Sequence, residues 1–255
     1  MGVPTLGCSC RVCTSSDPRD QRLRPSIAVE WLTETENVEE SSRSHRVLID
    51  TGPDFRQQAL RFGIRNIDGV FYTHAHADHI LGLDDLRPLS FSHRDRKLPL
   101  YADEPTAEVL ERVFSYTFSA NATYPTRARV ELLRLDGPVQ VAGITFTPVP
   151  LMHGNLQVTG YRFGNAAYLT DMNHIPDSSF ALLDGVEVVV LDALRPQPHP
   201  THANLTDAIT WVEKIGARHS WFTHMSHEVM HAETDGELPP SIRLSYDGLR
   251  IPIEL

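Results

Sequence analysis

Residues 73–81 read THAHADHIL, placing His74, His76, Asp78 and His79 within six consecutive positions. Only 13 of the 255 residues are histidine, so that density needs a reason. His74 and His76 are two apart, and in an extended segment side chains at i and i+2 share a face. Together they can take one side of a metal ion. Asp78 and His79 fall where a helix is expected to begin, over Asp78–Leu86, and can face a second ion. The bland alternative is a solvated turn rich in histidine. It would not require partners elsewhere in the chain.

Such partners occur. Ligand-type residues recur just after apolar, strand-like runs: His74 after GVFYT, His153 after FTPVPLM, Asp171 after AAYLT and His224 after SWFT. Strand ends are where a rigid sheet aims side chains into a common cleft. His153, Asp171 and His224 would complete two ligand sets, with the Asp171 carboxylate able to bridge. Three histidines and a carboxylate on one ion, and two histidines and two carboxylates on the other, suit Zn²⁺ and tolerate Mn²⁺ or Fe.

The rest of the pattern fits a soluble α/β chain. Composition is 41% hydrophobic and 22% charged, with 18 prolines, enough apolar material for a core. Strands are expected at Ile27–Leu32, Arg46–Asp50, Gly69–Thr73, Leu98–Ala102, Ala167–Leu169, Val186–Leu191 and His219–Thr223. A hairpin or strand pair is expected over Val139–Leu151. Thr106–Tyr116 reads as a helix with Val109, Leu110, Val113 and Tyr116 on one face, and Leu205–Ile215 as an amphipathic helix. Thr33–Ser44 reads as a long polar hairpin loop. The end, Ile242–Ile253, reads as a strand pair turning at Asp247-Gly248. No run approaches the roughly 18 apolar residues of a membrane span, and the N-terminus lacks the pattern of a secretion signal. A cytoplasmic location is expected. A net charge of −10 argues against a general nucleic-acid partner.

The three cysteines, Cys8, Cys10 and Cys13, lie within six residues. An odd, tight cluster in a reducing compartment reads as a metal site rather than as disulfides. Three thiolates and one histidine make a closed tetrahedral Zn²⁺ site. The expected fourth ligand is His227, three residues after His224.

The ordered stretches THAHADH, PLMHG, YLTDM and FTHMSH resemble the metallo-β-lactamase superfamily over roughly residues 3–255. The resemblance implies a four-layer αββα sandwich of two mixed sheets flanked by helices, spanning 1–255 as one domain, with a cysteine-rich zinc-binding segment at 3–16. It implies that His74, His76 and His153 bind one metal, that Asp78, His79 and His224 bind the second, and that Asp171 bridges. G-V-P-x-x-G-C-x-C-x-x-C near the start and T-H-x-S-H near the end resemble the phosphodiesterase subgroup of the carbon–phosphorus lyase pathway (PhnP-like). There the cysteines and the second histidine, here His227, hold a structural zinc. The same cysteine motif resembles a quinone-cofactor biosynthesis protein whose metal motif is typically degraded; here it is intact.

The subgroup also places a catalytic histidine in the loop before a helix, and THANL puts His202 there. It could contact a phosphate oxygen or protonate the leaving oxygen. His199 is read as an ordinary loop residue, and Arg195 as a phosphate-contact candidate by position. No site role is expected for His45, His93, His174, His219 or His231. The implied activity is hydrolysis of a small cyclic phosphodiester by a metal-bridging hydroxide, with Asp78 both ligand and orienter. The narrowest implied substrate is 5-phosphoribosyl 1,2-cyclic phosphate. Relatives are often dimers, so a homodimer is an expectation too. The competing readings are another hydrolase of the fold (tRNA 3′-processing nuclease, lactonase, thioesterase or lactamase) and a non-catalytic accessory protein. The superfamily usually opens with a strand before G-V-P, and that strand is not seen ahead of Gly2.

Overall fold

The computed structural model describes residues 2–34, 42–93, 96–119 and 126–255. The chain forms two compact units, Pro25–Gly143 and a discontinuous one made of Met1–Arg24 with Ile144–Leu255. Among the described residues no helix is long and apolar enough to cross a membrane.

Pro25–Gly143 carries β1 (Ile27–Glu34), β2 (Ser42–Ile49), α1 (Phe55–Arg61), β3 (Gly69–Phe71), α2 (Ala77–Ile80), α3 (Arg87–Ser90), β4 (Leu98–Ala102), α4 (Glu104–Val113), α5 (Ser115–Phe118), β5 (Val130–Arg134) and β6 (Val139–Val141). Its five-stranded sheet runs β1-β2-β3-β4-β5. β1 and β2 are antiparallel; the other pairs are parallel. Leu48, Val70, Leu98, Leu100, Phe55, Leu83 and Leu110 are among its buried core. The hairpin loop expected over Thr33–Ser44 is shorter than expected, because Glu34 pairs with Ser42; its centre, 35–41, lies outside the described residues.

Two helix expectations need correction here. The helix expected over Asp78–Leu86 is broken: α2 ends at Ile80 and a 3₁₀ turn covers Leu83–Leu86. Gly82 is the reason. Its N–H donates to the Thr51 carbonyl at 2.8 Å, and a Cβ there would collide with the Gly52 carbonyl. The chain must turn back onto the Thr51–Gly52 loop at that point. In α4 the buried face is Thr106, Ala107 and Leu110, continued by Phe114, while Val113 and Tyr116 are exposed. The helix stops at Val113, so Tyr116 is not on the same regular turn. Its hydroxyl donates to Asp84 instead, at 2.7 Å.

The second unit carries β7 (Ile144–His153), β8 (Leu156–Phe163), β9 (Ala166–Leu169), α6 (Asp177–Leu183), β10 (Val188–Asp192), α7 (Leu205–Ile215), β11 (His219–Thr223), α8 (His231–Glu237) and β12 (Ile242–Leu244). Its strands run β12-β11-β10-β9-β8-β7. β9 to β12 are parallel, and β8 is antiparallel to both β7 and β9. β7, β9, β10 and β11 therefore all point the same way, and their carboxyl ends share one edge.

α7 forms where the 3.6-residue pattern predicts it. The Asn204 side chain caps its start by accepting from Asp207 N–H, and Gly216, at φ 77°, ends it in the left-handed region. Ala208 and Val212 sit in the core with Leu191 and Phe222. The expected strand pair at Ile242–Ile253 is only β12. Asp247 does not shape a hairpin: its carboxylate accepts from Leu23 N–H at 3.2 Å, and the end of the chain returns to Asn165, whose N–H donates to the Glu254 carbonyl. Two mixed sheets with flanking helices are the α/β architecture expected.

The N-terminal segment belongs to this second unit through Arg22, which is buried. Arg22 pairs backbone to backbone with Val3, and its guanidinium donates to the carbonyls of Ser226 (3.1 Å) and Val229 (2.8 Å). Arg22→Ala would leave two buried carbonyls short of donors, a loss of about 1–3 kcal/mol. The thermal midpoint should fall accordingly; an unchanged midpoint would mean those carbonyls find other donors.

Candidate metal centre

In Pro25–Gly143 the His cluster is built on a buried carboxylate. Asp50 follows β2 and is fully buried at φ 65°. Its Oδ1 accepts from Thr73 N–H at 2.8 Å; its Oδ2 accepts from Thr73 Oγ1 at 2.8 Å and from His79 Nδ1 at 2.7 Å. With the Thr73 hydroxyl committed to Asp50, His74 Nδ1 is the donor in its 3.0 Å contact with Thr73 Oγ1. Both imidazoles are thus held with the proton on Nδ1 and Nε2 as the acceptor, the form in which histidine ligates a divalent ion. Burial pushes the Asp50 carboxyl up, and His79 opposes the shift. The His74 ring lies 4.5 Å from His76 and 4.2 Å from His79. His76 is exposed at the position just before α2, and Asp78 sits half-buried in the helix's first turn.

In the second unit the shared carboxyl edge brings together His153, Asp171, Asp192 and His224. Asp171 and His224 are buried, both at positive φ (51° and 60°), and His224 Nε2 lies 3.2 Å from Asp171 Oδ1. Among the described residues the non-glycine positive-φ positions are Asp50, Ala142, Asp171 and His224. Such backbone costs about 1–3 kcal/mol each and persists where function needs it. Three of the four are ligand-type residues just after a strand. His153 Nδ1 donates to the Thr201 carbonyl at 2.8 Å, again fixing the tautomer. His202 enters from the loop before α7. Its ring is 4.5 Å from His153 and stacks on His224 at 4.7 Å. Donor atoms of His153, Asp171 and His202 lie within 4.8 Å of one another, as do those of Asp192, His202 and His224.

The cysteine motif closes on His227. Its Nδ1 is 3.2 Å from Cys8 Sγ, 3.5 Å from Cys10 Sγ and 3.7 Å from Cys13 Sγ. Tetrahedral zinc with Zn–S about 2.3 Å and Zn–N about 2.0 Å places sulfur and nitrogen roughly 3.5 Å apart, so the four residues fit that ion. Cys10 is lowered to about 6, first by the Cys13 backbone N–H and further by His227 and the other thiols. At Cys8 the Cys10 N–H favours the thiolate, but the neighbouring thiols and burial outweigh it and raise the group. In metal-free protein at pH 7, Cys10 should therefore be carboxymethylated ahead of Cys8. Peptide mass spectrometry reads the order, and equal labelling would contradict it.

Two carboxylates escaped the sequence reading, Asp50 in DTGP and Asp192 in VVVLDAL. Both obey the rule that exposed the ligands, a polar residue at a strand end, and that rule applied to every strand would have found them. Arg195, a candidate phosphate contact by position, bonds Glu228 at 3.3 Å and the Pro198 carbonyl at 2.9 Å. His199 lies 5.1 Å from His202, and burial, then His202, lowers it. His174 stands outside the cluster against Trp211.

A β-lactamase superfamily domain model matches residues 45–225. The chain belongs to that superfamily. A solved structure of a new diphosphatase from the PhnP family is similar over 100% of this superfamily member and 94% of its own chain, with 49% identity and a TM-score of 0.86. The octanoyltransferase of Porphyromonas gingivalis is 38% identical over 99% of this chain and 49% of its own length. The ribonuclease Z of Archaeoglobus fulgidus is 37% identical over 47% of this chain and 37% of its own. The chain spans about half of that octanoyltransferase and little more than a third of that ribonuclease Z.

Proposed function

We propose that this metallo-β-lactamase superfamily member is a metal-dependent phosphodiesterase of the PhnP type, acting on a small, cyclic phosphodiester. In this reading His74, His76 and His153 hold one divalent ion, Asp78, His79 and His224 a second, and Asp171 serves both; Zn²⁺ or Mn²⁺ suits the donors. Cys8, Cys10, Cys13 and His227 hold a separate structural Zn²⁺. The catalytic ions would supply an activated water and neutralise charge on the phosphoryl group. The chain's own residues do the rest. Asp50 and Thr73 keep His74 and His79 in the ligating tautomer. Asp78 also orients the attacking water. His202 stands over the departing oxygen as proton donor.

The observation that carries phosphodiester chemistry is His202. It is a histidine outside the seven-residue ligand pattern, set between His153 and His224 and hydrogen-bonded to a buried carboxylate. The diphosphatase similarity supports cleavage at phosphorus and raises a second reading, a phosphoanhydride in place of the diester. 5-Phosphoribosyl 1,2-cyclic phosphate is the narrowest candidate. The test sets bis(p-nitrophenyl) phosphate, 2′,3′-cyclic nucleotides and a nucleoside diphosphate sugar against nitrocefin, S-lactoylglutathione and a tRNA precursor. Turnover confined to the small phosphorus substrates is expected, with loss on His202→Ala of about 10²–10⁴-fold for a poor leaving group. Metal-loaded protein that cleaves only the lactam, thioester or tRNA overturns the proposal.

A further inference from the structure

We propose that Pro25–Gly143 carries a second ligand site, separate from its histidine cluster, that binds a small phosphate ester. The proposal goes beyond the phosphodiesterase reading and does not depend on it. A cavity of about 450 Å³ lies wholly within this unit, bounded by exposed Arg43, Arg96 and Gln140, buried Pro99 and Val141, and half-buried Tyr101. That volume falls in the range of small-molecule sites. Asp68, on the cavity wall, directly precedes β3, and the histidine cluster follows β3 at its other end. Asp68 and His74 are six residues apart, up to about 20 Å of extended chain.

The class of ligand follows from which polar groups are already used. The acceptors are. Asp68 Oδ2 accepts from the Arg46 N–H at 2.9 Å and faces His45 Nδ1 at 3.3 Å. The Ala142 carbonyl, also on the wall, accepts from Trp31 Nε1 at 3.2 Å. His45 is engaged at both ring nitrogens, since its Nε2 lies 3.0 Å from Thr33 Oγ1. The donors are not used. The side chains of Arg43, Tyr101 and Gln140 have no hydrogen-bond partner among the described residues. Arg96 meets Asp68 Oδ1 only at 3.7 Å, too far for a hydrogen bond. Two guanidinium groups thus share one carboxylate, in a chain whose net charge is −10. Planar, permanently charged forks match an oxyanion that accepts in pairs, and phosphate has enough oxygens to meet both arginines at once.

Tyr101 makes this more than a patch of charge. Its ring stacks on Phe71 at 4.5 Å and 19°. A Cβ at Gly69 would press on the same ring at 3.3 Å. The aromatic floor is therefore set before a ligand arrives, which lowers the cost of binding. Burial pushes the Tyr101 hydroxyl up, with the Arg96 charge opposing the shift, so the hydroxyl stays a donor at neutral pH. The phosphate lies between Arg43 and Arg96, and the organic part of the ester rests against Tyr101 and Val141.

The experiment titrates ¹⁵N-labelled, metal-loaded full chain with phenyl phosphate, inorganic phosphate and phenol, and reads the indole N–H of Trp31. That group donates to the Ala142 carbonyl of the cavity. The chain has three tryptophans, so the Trp31 signal is the one lost in Trp31→Phe. Phenyl phosphate should shift it saturably, inorganic phosphate should bind about 10-fold more weakly for want of the ring contact, and phenol should leave it in place. Arg43→Gln and Arg96→Gln should each weaken phenyl phosphate by about 10-fold or more, the loss of one charge-assisted pair. Arg43→Lys and Arg96→Lys keep the charge but not the fork, and should fall between. Tyr101→Ala should bring phenyl phosphate to the level of inorganic phosphate. No saturable shift, a shift that survives in the Arg43→Gln, Arg96→Gln double variant, or an equal response to phenol would overturn the inference. Equal affinity of the wild type for phenyl phosphate and inorganic phosphate would overturn the assignment to an ester. The readout needs no turnover, so a failure here leaves the phosphodiesterase reading standing.

Discussion

Asp50→Ala should lower stability by about 3–5 kcal/mol, since each buried donor left unmet costs about 1–3 kcal/mol. Asp50 is completely buried and answers three donors, the Thr73 N–H, the Thr73 hydroxyl and His79 Nδ1. Alanine leaves all three facing a void. At about 2–4 °C per kcal/mol for a chain of this size, the thermal midpoint should drop by roughly 10 °C. Asp50→Asn separates this structural role from tautomer control. The amide oxygen can still accept from Thr73 N–H, but its N–H₂ would face the His79 Nδ1 proton. His79 would then flip its tautomer, placing the proton on Nε2 and removing the ligating lone pair. Asp50→Asn is therefore expected to fold better than the alanine variant and yet bind the catalytic ions about 10–100-fold more weakly. Calorimetric metal titration reads this. Wild-type affinity in Asp50→Asn would mean that the Asp50 bond does not set the His79 tautomer.

The second large effect is expected at the cysteines. Metal binding at a structural site is folding free energy, about 10–16 kcal/mol in small zinc peptides. Cys10→Ala removes one donor of the four gathered at His227. The variant should lose one zinc per chain, and proteases should cut first within residues 2–24, which Arg22 also ties to the Ser226 and Val229 carbonyls. His224 lies three residues before His227, so hydrolysis should fall even with catalytic ions supplied in excess. Unchanged zinc content and an uncut N-terminal segment would refute the structural assignment of the cysteines.

Much of this was legible in the chain because ligand chemistry and strand periodicity coincide. β11 and α7 fall where their patterns predict them, since an apolar run bounded by turn residues and a capped amphipathic stretch each admit one reading. The ligand-type residues at strand ends were legible for the same reason. Asp50 and Asp192 obey the same strand-end rule, but each stands alone after its strand, as turn residues do, and so neither was singled out. The failures elsewhere are tertiary. The buried face of α4 is set by Phe114 beyond its end, the break after Ile80 by the close approach of Gly82 to Gly52, and the absent C-terminal hairpin by Asp247 being used at Leu23. None of these is a local property of the sequence.

Metal stoichiometry coupled to turnover tests the two-ion reading most directly. Purified chain should contain three ions by elemental analysis. Mild chelation should remove two of them together with phosphodiester hydrolysis, and Zn²⁺ or Mn²⁺ should restore both, while the third stays until the cysteines are alkylated in denaturant. A single, cysteine-held ion, with no further metal taken up and no phosphodiester turnover on adding Zn²⁺ or Mn²⁺, would contradict the assignment of His74, His76, Asp78, His79, His153, Asp171 and His224 to a catalytic centre.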